Sequence, residues 1–261
     1  MNKKKKIDLH KILMYDLRKT RDRKVGFMYK NLKISPPFFE VGPKAFLYGE
    51  KMLALAKVID KTAMKYDLDV IVTPQYTDIK LLADNTERIL VFAQHMDYLP
   101  VGRGLGSVLP EAVKAAGAVG VMLNHAEKPL TMEEIEKTIA RADEVGLGTI
   151  VCANTVEDVK AIAKMGPNLI VAEPTDLIGT GQTSDSNYVV ETIKTVREIN
   201  PDIMVLQGAG ISNGQDVYNT IKLGAQATGS TSGIIKAADP YAMVEEMLYN
   251  LRKAWDELNG K

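Results

Sequence analysis

Cysteine is almost absent from this chain of 261 residues, and Cys152 has no second cysteine with which to form a disulfide. Disulfide-stabilised extracellular scaffolds are therefore excluded, and a reducing compartment is expected. Cys152 has no cysteine or histidine close to it in the sequence, and no other group of residues has the spacing of metal ligands. We therefore predict a protein that uses neither a metal nor an organic cofactor.

Long apolar runs are also missing. None approaches the roughly 20 residues that a helix needs to cross a membrane. The first residues are basic, but no apolar segment of the kind found in secretory signals follows them. We expect a cytoplasmic protein that has no membrane partner.

The chain has no net charge, yet its positive and negative residues are unevenly distributed along the sequence. Residues 1–34 contain 12 Lys and Arg against 3 Asp and Glu, whereas the remaining residues contain 21 against 30. Such a basic segment can bind nucleic acid or an anionic membrane. We favour the simpler interpretation, in which it lies on the acidic body or on a neighbouring subunit. The predicted organisation is a basic N-terminal extension, 1–34, and one catalytic domain, 35–261.

After residue 35, short apolar runs alternate with longer segments of helical periodicity. The eight predicted strands are 37–41, 69–74, 88–94, 118–123, 148–153, 168–173, 202–207 and 225–230. The clearest predicted helices are 48–66, 109–116, 131–145, 156–164, 188–199, 215–223 and 240–258. Thr131 and Glu134 have the spacing of a capping box, which marks the start of a helix.

Continuously apolar strands predict a parallel sheet that is covered on both faces by helices. Eight such units in a chain of this size indicate an α/β protein with the (β/α)₈ barrel fold. A doubly wound open sheet is the alternative, but it normally has a glycine-rich loop after its first strand. Here the glycines follow strands 6, 7 and 8, where barrels form phosphate sites.

Ionisable side chains follow three of the predicted strands, at the end where barrel active sites lie. Lys44 follows strand 1, His125 and Glu127 follow strand 4, and Glu173 ends strand 6. A carboxylate can remove a proton next to a carbonyl, while a lysine and a histidine stabilise the charge that develops on the oxygen. This set suits the enolisation of a phosphorylated sugar.

The glycine-rich loops suit the phosphate group of such a substrate. Their backbone N–H groups can hold a phosphate dianion, because glycine has no Cβ to block its approach. The residues that we predict for substrate and phosphate binding are Gly42, Ile178, Gly179, Gly210, Ser212, Ser232 and Gly233.

Several of these segments resemble the triosephosphate isomerase family, particularly its archaeal branch. Residues 124–127, Asn-His-Ala-Glu, resemble the family's N-H-S-E, and residues 173–181 resemble E-P-x-x-x-I-G-T-G. Residues 208–212 and 232–233 are similar to its phosphate loops, and the resemblance covers roughly residues 37–250. It implies a TIM barrel and an aldose–ketose isomerase of carbohydrate metabolism, which in glycolysis interconverts dihydroxyacetone phosphate and glyceraldehyde 3-phosphate.

The resemblance also implies the role of each residue. Glu173 would be the base that moves a proton between neighbouring carbons, and His125 would be the electrophile at the carbonyl oxygen. Triosephosphate isomerase is itself the standard illustration of a histidine that a helix N-terminus keeps neutral. Lys44 would be the strand 1 lysine, Glu127 the carboxylate beside the histidine, and residues 174–181 the closing lid. The family forms dimers or tetramers, so a homodimer or homotetramer is expected, with loop 95–106 as a candidate contact.

The first strand departs from the family pattern. The family reads N-x-K, where the asparagine contacts substrate, but this chain reads Gly42-Pro43-Lys44. An alignment shifted by two residues would put Glu40 in place of the asparagine, although we favour the one that keeps Lys44. A gap at Gly42 could admit a tetrulose phosphate such as erythrulose phosphate, which is the alternative substrate. Two other classes stay open: an aldolase that uses Lys44 as a Schiff base, and an inactive paralogue that binds a phosphate ligand.

Overall fold

The computed structural model describes residues 32–260, and its centre is a closed barrel of eight parallel strands. The strands pair in chain order, and β1 closes the barrel by pairing with β8. Their bounds are β1 Phe38–Val41, β2 Asp69–Val72, β3 Leu90–Ala93, β4 Gly120–Leu123, β5 Gly148–Ala153, β6 Leu169–Ala172, β7 Met204–Gln207 and β8 Ala227–Ser230. The predicted (β/α)₈ barrel is confirmed, and the open-sheet alternative is excluded.

Helices alternate with the strands and pack around the outside of the barrel. Their bounds are α1 Gly49–Tyr66, α2 Ile79–Asn85, α3 Pro110–Ala115, α4 Met132–Val145, α5 Val156–Ala163, α6 Ser186–Ile199, α7 Gly214–Lys222, α8 Ser232–Ile235 and α9 Pro240–Leu258. Short 3₁₀ turns occupy Tyr76–Asp78 and Thr175–Leu177. Helices α2 and α8 were not among the clearest sequence signals.

Local signals in the sequence set where several helices begin and end. The Thr131 side chain accepts from the Glu134 N–H at the start of α4, and the Glu134 carboxylate accepts in return from the Thr131 N–H. Gly146 ends α4 with φ 78°, a left-handed conformation that glycine adopts without the Cβ penalty. The predicted capping box at this helix is therefore confirmed.

Alternation along each strand divides the buried residues into two clusters. In β1, Phe38 points into the barrel and belongs to the inner cluster, whereas Phe39 and Val41 point outward against the helices. The barrel interior buries one face of each strand and the layer of helices buries the other. Each strand is therefore apolar along its whole length in the sequence. At the C-terminal ends of the strands the inward positions become polar, beginning in β1 with Glu40.

The chain enters the barrel at the end opposite to these polar positions. Leu32 and Ile34 pack against the inner cluster, and the Ser35 N–H donates to the Asp69 carboxylate at the start of β2 at 2.8 Å. Residues 1–31, which include most of the predicted basic extension, lie outside the described residues. Among residues 32–260, no helix is both long and apolar enough to cross a membrane.

The capping box gives a direct test of how α4 is stabilised. Removing the Thr131 hydroxyl leaves the Glu134 N–H without its acceptor, so Thr131→Ala should lower the free energy of unfolding by about 1 kcal/mol. The urea midpoint, followed by far-ultraviolet circular dichroism, measures the change. Thr131→Ser keeps the hydroxyl and is the matched control. Equal midpoints for the Ala and Ser variants would contradict the cap's contribution.

Candidate active site

A cavity of about 510 Å³ opens at the C-terminal ends of the strands. Most of the predicted site residues line it, and they come from well-separated parts of the sequence. They are Gly42, Lys44, His125, Glu127, Glu173, Ile178, Gly179, Gly210 and Ser232. Ser212 and Gly233 belong to the same loops but are not among the residues that line the cavity.

Glu173 follows β6, and its carboxylate is held by the loop after β7. The Ala209 N–H donates to Glu173 Oε1 at 2.8 Å, and Ala209 adopts a left-handed backbone with φ 68°. A Cβ on Gly208 would lie 3.0 Å from the Glu173 carboxyl carbon, so glycine makes room for this side chain. Burial raises the pKa of Glu173, while the Ala209 N–H and Lys44 oppose the rise and Glu127 adds to it.

His125 lies in the loop after β4, and its tautomer follows from its backbone partner. The Glu127 N–H donates to His125 Nδ1 at 3.1 Å, so the neutral ring carries its proton on Nε2. Burial lowers the pKa of His125, and the charge of Lys44 lowers it further, against the opposing effect of Glu127. The donor belongs to a turn closed by the Lys128 N–H and the His125 carbonyl, not to a helix, because α4 starts only at Met132.

Lys44 has a left-handed backbone, with φ 49°, directly after β1. Its carbonyl accepts hydrogen bonds from the side-chain amides of Gln75 at 2.8 Å and Gln94 at 2.9 Å. Non-glycine residues seldom adopt this conformation, and these two amides help to hold it. Two glutamines at the ends of neighbouring strands thus hold the backbone conformation of Lys44.

The Lys44 side chain forms an ion pair with Glu127 across the cavity mouth. Lys44 Nζ lies 2.7 Å from Glu127 Oε1, and the lysine side chain is 23% exposed against 64% for the glutamate. The ammonium group lowers the pKa of Glu127. The pair joins the loop after β1 to the loop that carries His125.

The loops after β6, β7 and β8 contact one another closely. A Cβ on Gly210 would lie 1.9 Å from the carbonyl oxygen of Gln182, and one on Gly233 would lie 2.6 Å from that of Ile211. The Ser212 N–H donates to Asp216 at 2.9 Å, so a carboxylate already accepts from that group. Among the residues predicted for substrate and phosphate binding, Gly42, Ile178, Gly179, Gly210 and Ser232 line the cavity.

Comparison with known proteins identifies the family. The sequence model of triosephosphate isomerase matches residues 44–247. The chain is 42% identical to the triosephosphate isomerase of Methanobacterium bryantii over 195 residues, 74% of this chain and 86% of that protein. It is 37% identical to the enzyme of Sulfurisphaera tokodaii over 227 residues, which are 85% and 99% of the two chains. The triosephosphate isomerase of Methanocaldococcus jannaschii is also 37% identical, over 77% of this chain and 92% of its own.

The chain belongs to the triosephosphate isomerase family. It is accordingly an isomerase of the intramolecular oxidoreductase class, as the resemblance implied. The family match begins at Lys44, immediately after the first strand, so it does not include Glu40 or Gly42.

Further residues line the cavity of this triosephosphate isomerase family member. Thr73, Gln94 and Cys152 were missed by the sequence interpretation, and Glu40 appeared there only in the shifted alignment of the first strand. Lys236 lies near the proposed phosphate loops. Cys152 is buried, and its side chain also borders the cavity. Side chains alternate along the predicted strands, so the inward-facing positions at the strand ends could have indicated Glu40, Thr73, Gln94 and Cys152.

The floor contains a second buried glutamate in addition to Glu173. Burial is the main cause that raises the pKa of Glu40 to about 7, and Glu173 raises it further, while Thr73 and Lys44 lower it. Within residues 32–260, no group of three or more His, Cys, Asp or Glu could hold a metal ion. The cavity therefore concentrates carboxylates without the arrangement of a metal centre.

The pKa of His125 should respond to Lys44. Removing the ammonium group in Lys44→Met should raise the histidine pKa, because a nearby positive charge disfavours imidazolium and Glu127 loses its ion-pair partner. A pH titration of the histidine ring resonances by NMR measures it. Lys51→Met, in the first turn of α1, removes an exposed lysine as a control. An unchanged or lowered pKa in Lys44→Met would contradict the electrostatic assignment.

Proposed function

We propose that this isomerase interconverts dihydroxyacetone phosphate and glyceraldehyde 3-phosphate through an enediolate, and so acts in glycolysis. The observation that carries the proposal is that the Glu173 carboxylate and the His125 ring face one cavity together with Lys44. These are the base and the electrophiles that enolisation of a carbonyl needs. The relatives at 37–42% identity are named for the same reaction.

In this proposal Glu173 is the base. Its ionised carboxylate removes a proton from the carbon next to the substrate carbonyl and returns it to the neighbouring carbon. The raised pKa makes it a stronger base than an exposed glutamate, and the Ala209 N–H positions one of its oxygens. Because the base must be ionised, activity falls as the pH drops through this raised pKa.

His125 and Lys44 supply the stabilisation of the developing oxyanion. Nε2–H of the neutral histidine is a donor whose position the Glu127 N–H sets through Nδ1. The Lys44 ammonium places a positive charge in the same cavity, and a buried charge acts more strongly than one in water. The reaction also moves a proton from the hydroxyl oxygen to the former carbonyl oxygen. In this proposal His125 Nε2 gives its proton to one oxygen and takes a proton from the other, while Lys44 keeps its proton.

The phosphate would lie between the loops after β6 and β8, where Gly179 and Ser232 border the cavity. Backbone N–H groups in such loops hold an anion without a basic side chain, and Lys236 adds a positive charge nearby. Residues 174–181 are the proposed lid. Its closure would exclude water from the enediolate, which otherwise loses phosphate.

The other substrate and reaction classes have less support. The tetrulose phosphate alternative depended on a gap beside Gly42, but a Cβ there would lie 3.0 Å from the Glu40 carboxylate, so the Glu40 side chain fills that space. A Schiff-base aldolase needs a free amine, whereas Lys44 forms an ion pair with Glu127. Nothing in the site favours an inactive binding protein, because base and electrophiles are all present.

We propose further that the protein is a cytoplasmic homo-oligomer. The loop between β3 and α3 exposes apolar side chains, among them Tyr98, Val101 and Leu105, and Leu105 is fully exposed. Burial of such a loop against a second copy would remove apolar surface from water.

Glu173→Gln tests the base directly. The amide keeps the size of the side chain but cannot accept the proton, so kcat for triose phosphate should fall by about 10²–10⁴ or more. A coupled assay in both directions measures it, with circular dichroism to check folding. Glu191→Gln, on an exposed position of α6, is the matched control. Activity within tenfold of the unmodified enzyme would refute the role of Glu173.

Assembly is tested by light scattering at micromolar concentration. We expect a dimer or tetramer, and Leu105→Asp should shift it towards the monomer, because a carboxylate buried in an apolar contact is strongly unfavourable. Leu105→Met keeps the apolar character and serves as the control. A monomer for the unmodified protein would overturn the proposed assembly and leave the barrel assignment unaffected.

A further inference from the structure

Glu40 lies on the cavity floor, two residues before Gly42, which stands where the family has its asparagine. It alternates with the outward-facing Phe39 and Val41, and therefore points into the barrel above the inner-cluster residue Phe38. The residue is only 9% exposed, and it borders the same cavity as Glu173 and His125. A carboxyl group at this depth is costly unless it has partners or a role.

Two glycines make the room that this carboxyl group occupies. A Cβ on Gly42 would lie 3.0 Å from Glu40 Oε1 and 3.2 Å from the Thr231 hydroxyl. On the neighbouring strand, a Cβ on Gly229 would lie 2.9 Å from Glu40 Oε2. Any larger residue at either position would press on the carboxyl group, so Gly42, Gly229 and Glu40 form one arrangement.

Within residues 32–260, the side-chain hydrogen bond of Glu40 involves only Oε1, which leaves Oε2 for a ligand. The Thr73 hydroxyl donates to Oε1 at 3.0 Å, so Oε2 is the oxygen that can carry a proton. The ionisable groups that act on Glu40 are Glu173 after β6, which disfavours a second negative charge, and Lys44 after β1, which favours it. Cys152 on β5 is a neutral thiol, because burial raises its pKa.

Substrate adds negative charge to this cavity. A phosphate dianion and an enediolate both disfavour ionised Glu40, whose pKa is already raised to about 7 by burial. The carboxyl group is then neutral in the complex, where its O–H is a hydrogen-bond donor. A carboxylic acid that an apolar site keeps neutral can stabilise a developing oxyanion in this way.

We propose that Glu40 is a substrate-contacting residue whose protonated carboxyl group donates a hydrogen bond from Oε2 to a sugar oxygen of the substrate. This inference rests on the proposed function for the identity of the substrate. Glu40 keeps its proton throughout, and the proton of the isomerisation is moved by Glu173. The carboxyl group thereby supplies the kind of donor that the family's strand 1 asparagine supplies, from two residues earlier in the chain.

The pH profile of kcat/KM tests the proposal. In the unmodified enzyme, kcat/KM should decline as the pH rises through the pKa of Glu40, because the ionised carboxylate has lost its donor. Glu40→Gln has an amide donor at every pH, so its kcat/KM should not show this decline. Glu40→Ala should lower kcat/KM roughly 10- to 100-fold, the usual effect of losing a hydrogen bond to a charged group. Thr73→Val removes the bond that lowers the pKa and should move the decline to higher pH.

A rescue experiment separates substrate contact from a structural role. In Glu40→Ala the space beside Gly42 is empty, so the double variant Glu40→Ala/Gly42→Asn can place an amide donor there. It should regain at least tenfold in kcat/KM, without the decline at higher pH. Gly42→Asn alone should impair the enzyme, because its side chain meets the Glu40 carboxyl group. A purely structural Glu40 would change stability but not the pH profile.

A binding measurement distinguishes failure of this inference from failure of the proposed function. Glycerol 3-phosphate is added to protein with ¹³C-labelled glutamate carboxyl groups, and Glu40→Gln assigns the Glu40 signal. At pH 7.5 saturation should shift that signal towards the protonated form, even if the enzyme does not isomerise triose phosphate. Lack of isomerase activity with this shift would reject only the substrate. An unshifted signal, or identical pH profiles for the unmodified enzyme and Glu40→Gln, would overturn the role of Glu40.

Discussion

The burial of negative charge at the mouth of the barrel is the constraint on which the site depends. Glu40, Glu127 and Glu173 border one cavity, and Lys44 is the cation that acts on all three. A buried carboxylate must acquire a partner, a donor or a proton. Of the two buried carboxyl groups, Glu173 has the Ala209 N–H and Glu40 has a raised pKa, whereas the exposed Glu127 forms an ion pair.

The differences between these carboxyl groups are what make the cavity chemically useful. Glu127 is exposed and paired, so it stays ionised and helps to orient the His125 loop. Glu173 is more basic than an exposed glutamate but has a donor for its ionised form, as a proton-shuttling base needs. For Glu40, burial outweighs the opposing effect of Lys44, and its pKa is raised to about 7. Neighbouring acids whose environments separate their pKa values can take different roles in one reaction.

The sequence predicted the barrel and most of the candidate site, because both are indicated by patterns of residues that are neighbours in the sequence. Few folds accommodate eight apolar strands that alternate with helices of regular periodicity. Residues 173–181 form a distinctive motif that includes Glu173. Glu40 could not be assigned in this way. Its role depends on Thr73, Gly229 and Glu173, which lie 33 to 189 residues further along the chain and meet it only when the barrel closes. Similarly, the left-handed Lys44 is explained by Gln75 and Gln94, which no local pattern links to it.

The glycines of the site do more than let a phosphate approach the backbone: they also leave space for neighbouring side chains and loops. At Gly208 a Cβ would press on Glu173, the proposed base, and at Gly229 it would press on Glu40. At Gly210 and Gly233 it would meet a carbonyl oxygen of a neighbouring loop. Close-packed interiors cannot absorb an added methyl group without movement of their neighbours. The missing Cβ atoms therefore set where both glutamates point and how closely the three loops approach, so the glycines act on the chemistry through the positions of other side chains.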